Sequence, residues 1–550
     1  MKTSTLFCPR KKPSRLLVIR AVIAAAVFFL GGMTAWALIS SQGDLQIVSD
    51  VEGTAVASIG GHVVQATLTN LVQSGQNAAA FASASAQGDA LFQTGFNAAD
   101  GGGANVGAGL RFTRMPRADL SGTGQWANHQ PARATGPNAM ACTGCHNQAG
   151  DDGGGEASDN VHRDGTHAGR LNKMIERNTP HLFGLGGVQR LAEEMTVDVQ
   201  GLRDGARAAL GCGSTTTAGT ATSALVSKGV SFGSVTITHA SGTTTCTEKL
   251  SPPVSGGALA LSSDLIVRPF QWKGSVGFIR AFVRDAANNE IGMQAVELLG
   301  SPTVDPAKVD GDGDGVANEL FIGDITALTV YQAAQPRPTT RQELASLGLI
   351  PALTSRETSD IAAGSALFNQ VGCASCHVRQ LVANDVLFRE PSATVAFRDP
   401  GDRFPNGRSY GSVSLNVSTP IAFDLTKDQP ENSDVKAANG QPLGAFTRDA
   451  QGHAVVALFG DLRRHDLGSG LAEEIDEVGT GASVFLTENL WGVGSTPPYL
   501  HDGRAATITE AILEHGGEGQ AARNAFVALT TSQKEQLVVF LKNQVLFKTH

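Results

Sequence analysis

The chain has 550 residues, 41% hydrophobic and 17% charged, with 65 glycines and 3 tyrosines. That length suits two large domains, and the composition suits a soluble globular protein of short helices joined by long connections. Every charge in the first forty residues is positive, and without them 36 basic residues face 51 acidic ones, a net of −15, which disfavours a nucleic-acid partner and suits a basic soluble one.

In chain order, Lys2, Arg10, Lys11, Lys12, Arg15 and Arg20 precede an apolar run of 19 residues from Ala21 to Ile39. A basic flank followed by such a run is an export signal. The run approaches the ~20 residues that cross a bilayer, while Ala35-Trp36-Ala37 resembles a cleavage site. Residues 1–40 are therefore a cleaved signal peptide or an uncleaved N-terminal membrane anchor, with the rest of the chain exported. Residues 41–85 read as an N-terminal extension, 86–350 as a first domain and 351–550 as a second, with Pro336, Pro338 and Pro351 marking the join.

Each domain contains one Cys-x-x-Cys-His motif, "CTGCH" at Cys142 and "CASCH" at Cys373. A c-type haem is attached by thioether bonds from two cysteines, and the adjacent histidine is the proximal ligand of the iron. Two intervening residues let one turn of chain present both sulfurs to one porphyrin edge. Zinc competes for Cys-x-x-Cys pairs, but both pairs carry His at the same next position and haem attachment follows export. The motifs predict a di-haem c-type cytochrome, with haem 1 on Cys142, Cys145 and His146 and haem 2 on Cys373, Cys376 and His377. Open iron sites bind small oxidants and closed ones transfer electrons. The residues offered as sixth ligands are His129, His162, His167, His181, Met140, Met174, Met195 and Met293 in the first domain, and His453, His465, His501 and His515 in the second.

Cys212 and Cys246 bracket the alternating stretch "GVSFGSVTITHASGTTTC", a hairpin-like insertion at 212–250. The pair closes a loop of about 35 residues as a disulfide, or stays as two buried thiols. Asp310, Asp312 and Asp314 form a DxDxDG cluster, the opening half of an EF-hand-type calcium loop or a solvated acidic turn. Phe321 stands at the twelfth loop position, so Glu319 or Asp324 would have to close the site. "TSRETSDIAAGSALFNQ" predicts a capped helix leading into the Cys373 motif, and "LTTSQKEQLVVFLKNQV" a capped amphipathic helix packing back on haem 2. The expected fold is mainly α: two cytochrome c-like haem domains with long loops and a small β insertion.

The segment "LWGVGSTPPYLHDGRAATITEAILEHGG" at 490–517 resembles the C-terminal signature of the bacterial di-haem cytochrome c peroxidase superfamily, most closely the di-haem oxidoreductases, also labelled thiol oxidoreductases. "RNTPHLFGLG" from Arg177, "RPFQWKG" from Arg268, "DGDGVANELFIGDITALTVYQA" from Asp312 and "DLRRHDLGSGLAEE" from Asp461 extend the resemblance from about residue 85 onward. It implies that His515, on a helix from Thr507 to Glu514, is the distal ligand of haem 2; the competing reading is a surface histidine at a helix C-terminus. It implies that Trp272 lies between the haems and relays electrons, although a core aromatic would look the same. Arg177 to Pro180 would flank haem 1, and His162 or His167 stands where a displaceable distal histidine blocks it. The glutamine and catalytic glutamate of the peroxidases fall here on Phe282 and Gly292, with Glu290 two residues away. An apolar pocket containing Phe282 would suit dioxygen or an apolar substrate. A calcium ion between the two domains is also implied.

The resulting expectation is a periplasmic di-haem oxidoreductase, peroxidase-like, in which haem 1 activates peroxide or dioxygen and haem 2 relays electrons from a small cytochrome c or cupredoxin. The alternatives are a non-catalytic electron-transfer cytochrome, or a di-haem dioxygenase acting on an apolar substrate.

Overall fold

The computed structural model describes residues 57–97, 99–102, 138–147, 154, 160–164, 173–298, 316–398, 415–428, 430, 436, 440 and 442–548. The leader, His129, His167, Asp310, Asp312 and Asp314 lie outside these residues. In chain order come α1 (Gln65–Gln73), α2 (Asn77–Gln93), the antiparallel pair β1 (Val161–Asp164) and β2 (Met174–Arg177), and α3 (Leu185–Ala209). A three-stranded antiparallel sheet follows, of β3 (Gly219–Ser227), β4 (Val230–His239) and β5 (Cys246–Ser251). Next are α4 (Ile279–Ala286), which runs into a π turn at Ala287–Ile291, then α5 (Ile322–Ala333) and α6 (Ser355–Gln370). After a run of short strand pairs come α7 (Ile508–Glu514), α8 (Gln520–Val527) and α9 (Thr531–Lys542).

Two helix pairs frame the cysteine motifs, and both are built on glycine. On α2, Ala80, Ala84 and Gly88 make a buried small-residue stripe against α5, whose every residue is buried. A Cβ at Gly88 would overlap the Ala327 carbonyl and Tyr331 Cβ. On α6, a Cβ at Gly364 would overlap the Gln536 carbonyl and Phe540 Cβ of α9. The partners are four residues apart on the same helical face in both cases. The sequence carries this repeat as Gly88-Asp-Ala-Leu-Phe92 and Gly364-Ser-Ala-Leu-Phe368. α2 also runs through residue 85, where the sequence suggests a boundary.

The helices expected around the second motif form as predicted, because their caps are encoded. Thr354 with Glu357, Thr507 with Glu510 and Thr530 with Gln533 are reciprocal capping boxes on α6, α7 and α9. α5 instead takes its start from Asp324, which accepts hydrogen bonds from the backbone N–H groups of Phe321 (2.8 Å) and Val63 (2.7 Å) and from His62 Nδ1 (2.7 Å). Asp324 therefore serves the helix start and the N-terminal segment. Glu319 accepts from the Gln294 N–H at 2.6 Å.

Helix accounts for 35% and strand for 17% of the described residues, so the fold is mixed rather than mainly α. Part of the excess strand is the insertion, where the expected hairpin is a full sheet over 219–251 and Cys212 is disulfide-bonded to Cys246, with Cα atoms 5.7 Å apart. The rest is strands of three or four residues, such as Leu381–Ala383, Ala454–Val456, Arg464–Asp466 and Val484–Leu486. Alternation over so few residues cannot be told from loop. One apolar core joins residues from before and after position 350, among them Phe92, Leu191, Ile325, Phe388 and Trp491. A second gathers Phe368, Phe459, Ile508, Phe526 and Phe540 around the α6–α9 pair. No described helix is long and apolar enough to cross a membrane.

Candidate functional site

Both cysteine motifs adopt the same tight turn. The peptide tightens into a 3₁₀ turn at Cys142–Gly144 and at Cys373–Ser375, and the N–H of His146 reaches the Cys142 carbonyl as His377 reaches that of Cys373, each at 3.0 Å. The two intervening residues thus complete one turn and bring two sulfurs and an imidazole to one cavity wall. Cys142, Cys145 and His146 line an N-terminal cavity of about 110 Å³, and Cys373, Cys376 and His377 a C-terminal one of about 220 Å³, both partly open to solvent.

In the C-terminal cavity the His377 and His515 rings face each other with centroids 6.5 Å apart. Two imidazoles bonding one metal ion at ~2 Å place their ring centres roughly 6 Å apart, so the pair fits a six-coordinate iron. His377 Nδ1 lies 3.2 Å from the Phe459 carbonyl and His515 Nδ1 2.8 Å from that of Ala511. A carbonyl only accepts, so each Nδ1 carries the proton and each Nε2 keeps its lone pair. Burial pushes His377 down to about 4, helped by the neighbouring His515, and burial also lowers His515. Both rings are thus the neutral imidazoles a metal requires. Phe459, whose carbonyl orients His377, sits at φ 54°, a left-handed conformation costing about 1–3 kcal/mol that the surrounding packing enforces.

The N-terminal cavity is walled by Phe92, Val161, Leu182, Phe282 and Ile291, with Arg177, Lys273, Asp285, Glu290 and Glu477 as its charged members. The buried Arg177 is held by Glu473 and by Glu477 at 3.0 Å, both in the stretch following Asp461, so its guanidinium shapes the wall with its charge already compensated. α4 is fixed from behind by Arg280, which bridges Glu297 and Glu390, and by Arg284 on Glu297. The π turn after α4 inserts one residue into the helical register, and Gly292, at φ 76°, ends it. Glu290 is thereby turned into the cavity, where Asn138 Nδ2 donates to its carboxylate at 2.6 Å. The resemblance counts the glutamate position onto Gly292, two residues from Glu290; the π turn is not legible in the sequence.

Trp272, Asn178, Thr179 and Pro180 line both cavities, and the indole Nε1–H donates to the Asn178 carbonyl at 2.9 Å. Asn178 to Pro180 therefore flank the N-terminal cavity and the C-terminal one alike. Gln271, just before Trp272, is at φ 62°.

Other residues singled out by sequence sit elsewhere. In β1 the side chains alternate, and Val161 and its β2 partner Arg177 face the N-terminal cavity. His162 is paired with the exposed Glu176 and is absent from the cavity wall. His181 lines the C-terminal cavity, but Nε2 meets the Trp491 carbonyl at 3.0 Å and Nδ1 accepts the Phe183 N–H at 3.2 Å. Met195 and Met293 are core residues, and Met140 is 46% exposed. His453 pairs with Asp449 at 3.1 Å.

Two further groups in the C-terminal cavity carry no motif of their own. Burial pushes the Glu488 carboxyl up to about 7. His465 is held between Asp461 and Glu518, each at 3.0 Å; burial alone would lower it, but these carboxylates and Cys376 push it up to about 11.

Residues 431–544 match the family model described as "Di-haem oxidoreductase, putative peroxidase". No curated protein matches the chain. A solved structure described as that of a MauG-like protein associated with microbial copper homeostasis aligns over 66% of this chain and 89% of its own, with 16% identity and a TM-score of 0.23. The segment 431–544, which carries His465, His501, His515 and Glu518, is the part of the chain that is similar to this family.

Proposed function

We propose that this is an exported, periplasmic di-haem oxidoreductase of peroxidase type, with haem 1 bound covalently at Cys142 and Cys145 and haem 2 at Cys373 and Cys376. The observation that carries the reading is the difference between the two cavities across the Trp272 partition. The C-terminal one offers two opposed neutral imidazoles, His377 and His515. Among the described residues, the wall of the N-terminal one offers His146 together with Glu290 and Arg177. Haem iron supplies the one-electron chemistry and, where a coordination position is open, the binding of a small oxidant.

The chain's own residues supply the rest. Peroxide reduction consumes two protons and two electrons per molecule and yields two waters. Glu290, anchored by Asn138, holds a proton-transfer group at the wall of the first cavity. Phe92, Phe282 and Leu182 make the wall apolar, and Arg177 keeps a compensated positive charge beside the site. Trp272 bridges the cavities for electrons that a small basic cytochrome c or cupredoxin delivers to haem 2, a polarity that suits the acidic body of the chain. A calcium ion at Asp310, Asp312 and Asp314 is part of the proposal.

Steady-state consumption of hydrogen peroxide with a reduced small cytochrome as donor tests the reading. The expected result is peroxide-dependent donor oxidation that Trp272→Phe slows by on the order of tenfold or more while both haem spectra are retained. Oxygen uptake without peroxide consumption would contradict it and favour a dioxygenase that uses the apolar wall around Phe282.

A further inference from the structure

His515 has a thin support of its own. The helix before it, α7, has seven residues with Ile508 alone buried, and the His515 Nδ1 bond to Ala511 stays inside that helix. What ties this end of the chain to the body is the next turn. Gly516 packs on the Leu467 carbonyl and Gly517, at φ 47°, on that of Asp466, positions where a Cβ would overlap or crowd the strand. Glu518 closes the turn. Its Oε1 accepts the backbone N–H groups of Asp466 and Ala258, each at 3.0 Å, and its Oε2 faces His465 Nδ1 at 3.0 Å.

The other side of His465 is equally engaged, with Nε2 at 3.0 Å from Asp461 Oδ2. With a carboxylate on each nitrogen, both nitrogens carry protons and the ring is an imidazolium. Cys376, Asp461 and His465 lie close enough together to suggest a metal site. An imidazolium has no lone pair to give, however, and Cys376 is committed to the porphyrin in the proposed holoprotein. The same Nδ1 stands 3.7 Å from Cys376 Sγ, and Arg463 lies 3.8 Å from both carboxylates. Arg464 ties the strap after β5 down by bonds to Ala260 O and Ser262 Oγ at 3.3 and 3.2 Å. The array therefore spans from an attachment cysteine to the turn that follows the distal histidine.

We propose that Glu518 is the positioning residue for His515: the Asp461–His465–Glu518 array is a latch that holds the turn after α7 against the body of the chain and so keeps His515 opposite His377, where it would hold haem 2. The proposal rests on the reading of His515 as the distal ligand. The latch determines whether the second centre is closed for electron transfer or open to exogenous ligands. Charge-assisted hydrogen bonds of this kind are stronger than neutral ones, and a half-removed array leaves a buried cation without its partner.

The test uses the ferric holoprotein and three variants, Glu518→Ala, Glu518→Gln and His515→Ala, read by low-temperature EPR and by imidazole titration of the visible spectrum. In Glu518→Ala the low-spin signal of haem 2 should fall by about half or more, and added imidazole should bind at least about tenfold tighter than to the parent and restore it. Glu518→Gln keeps an acceptor for the two backbone N–H groups and loses the charge facing His465, so it should lie between parent and alanine variant. It also decides the case if the alanine variant does not fold. A support role without ligand positioning would lower the melting temperature and leave the low-spin signal whole, which overturns the proposal. If His515→Ala abolishes the low-spin signal and neither Glu518 variant changes it, the latch alone fails. If His515→Ala changes nothing, the ligand assignment fails and the latch with it.

Discussion

Around Cys142 and around Cys373 the chain repeats one local solution. Each motif is a 3₁₀ turn closed by the same histidine N–H bond, and each sits beside a helix pair whose closest approach is a glycine under a carbonyl and an aromatic Cβ. The surroundings then diverge. At the second motif the chain brings in His515 from a short capped helix opposite His377. At the first, a π turn on a helix locked by Arg280 and Arg284 brings in Glu290 beside Phe282. One scaffold thus presents two different cavities, because one wall of each is fixed by the motif and the other by whatever packs against it.

The comparison can be broken most completely at attachment. Replacing Cys373 and Cys376 by alanine should leave a protein with one covalent haem, counted by its pyridine haemochrome, and the same change at Cys142 and Cys145 should leave the other; two haems retained in either variant would dissolve the assignment. Glu290→Gln sharpens the functional contrast. It should lower peroxide turnover by roughly 10²–10⁴-fold and flatten its pH profile, with the low-spin signal of haem 2 unchanged.

Glu488 offers a probe by pH on the second side. Its folded value, about 7, lies above the ordinary 4.5, so the folded state holds the extra proton between those values and stability falls as pH rises through them. Glu488→Gln should therefore match the parent at pH 4 and exceed it by roughly 3 kcal/mol at pH 8, measured by denaturant unfolding. Equal stability at both pH values would show that the carboxyl is solvated. The smallest effects are expected from the helix pairs. Gly88→Ala and Gly364→Ala should each cost about 1–3 kcal/mol by overpacking, the first loosening haem 1 spectra and the second haem 2.

What could be read from the chain follows from how local the information is. The attachment turns, the capped helices at 355, 508 and 531 and the 212–246 pairing each depend on residues close in sequence or on a count of cysteines. Glu290 was legible only as a neighbour two residues from the counted position, because a π turn breaks the spacing on which its place is judged. The Glu518–His465–Asp461 array joins residues 53 and 4 positions apart with no motif of its own. Arg177 finds its partners almost 300 residues later, with a separation of 296 to Glu473 and 300 to Glu477. The GDALF and GSALF segments were a visible signal of the paired helices, and aligning the chain with itself around the two motifs would have found them.

The measurement closest to the central claim is the low-temperature EPR spectrum of the ferric holoprotein beside a one-electron-reduced sample. The account predicts one low-spin signal from a bis-histidine haem 2, lost in His515→Ala, and a second haem that takes up an exogenous small ligand. Two low-spin centres in both samples, neither altered by His515→Ala, would contradict it.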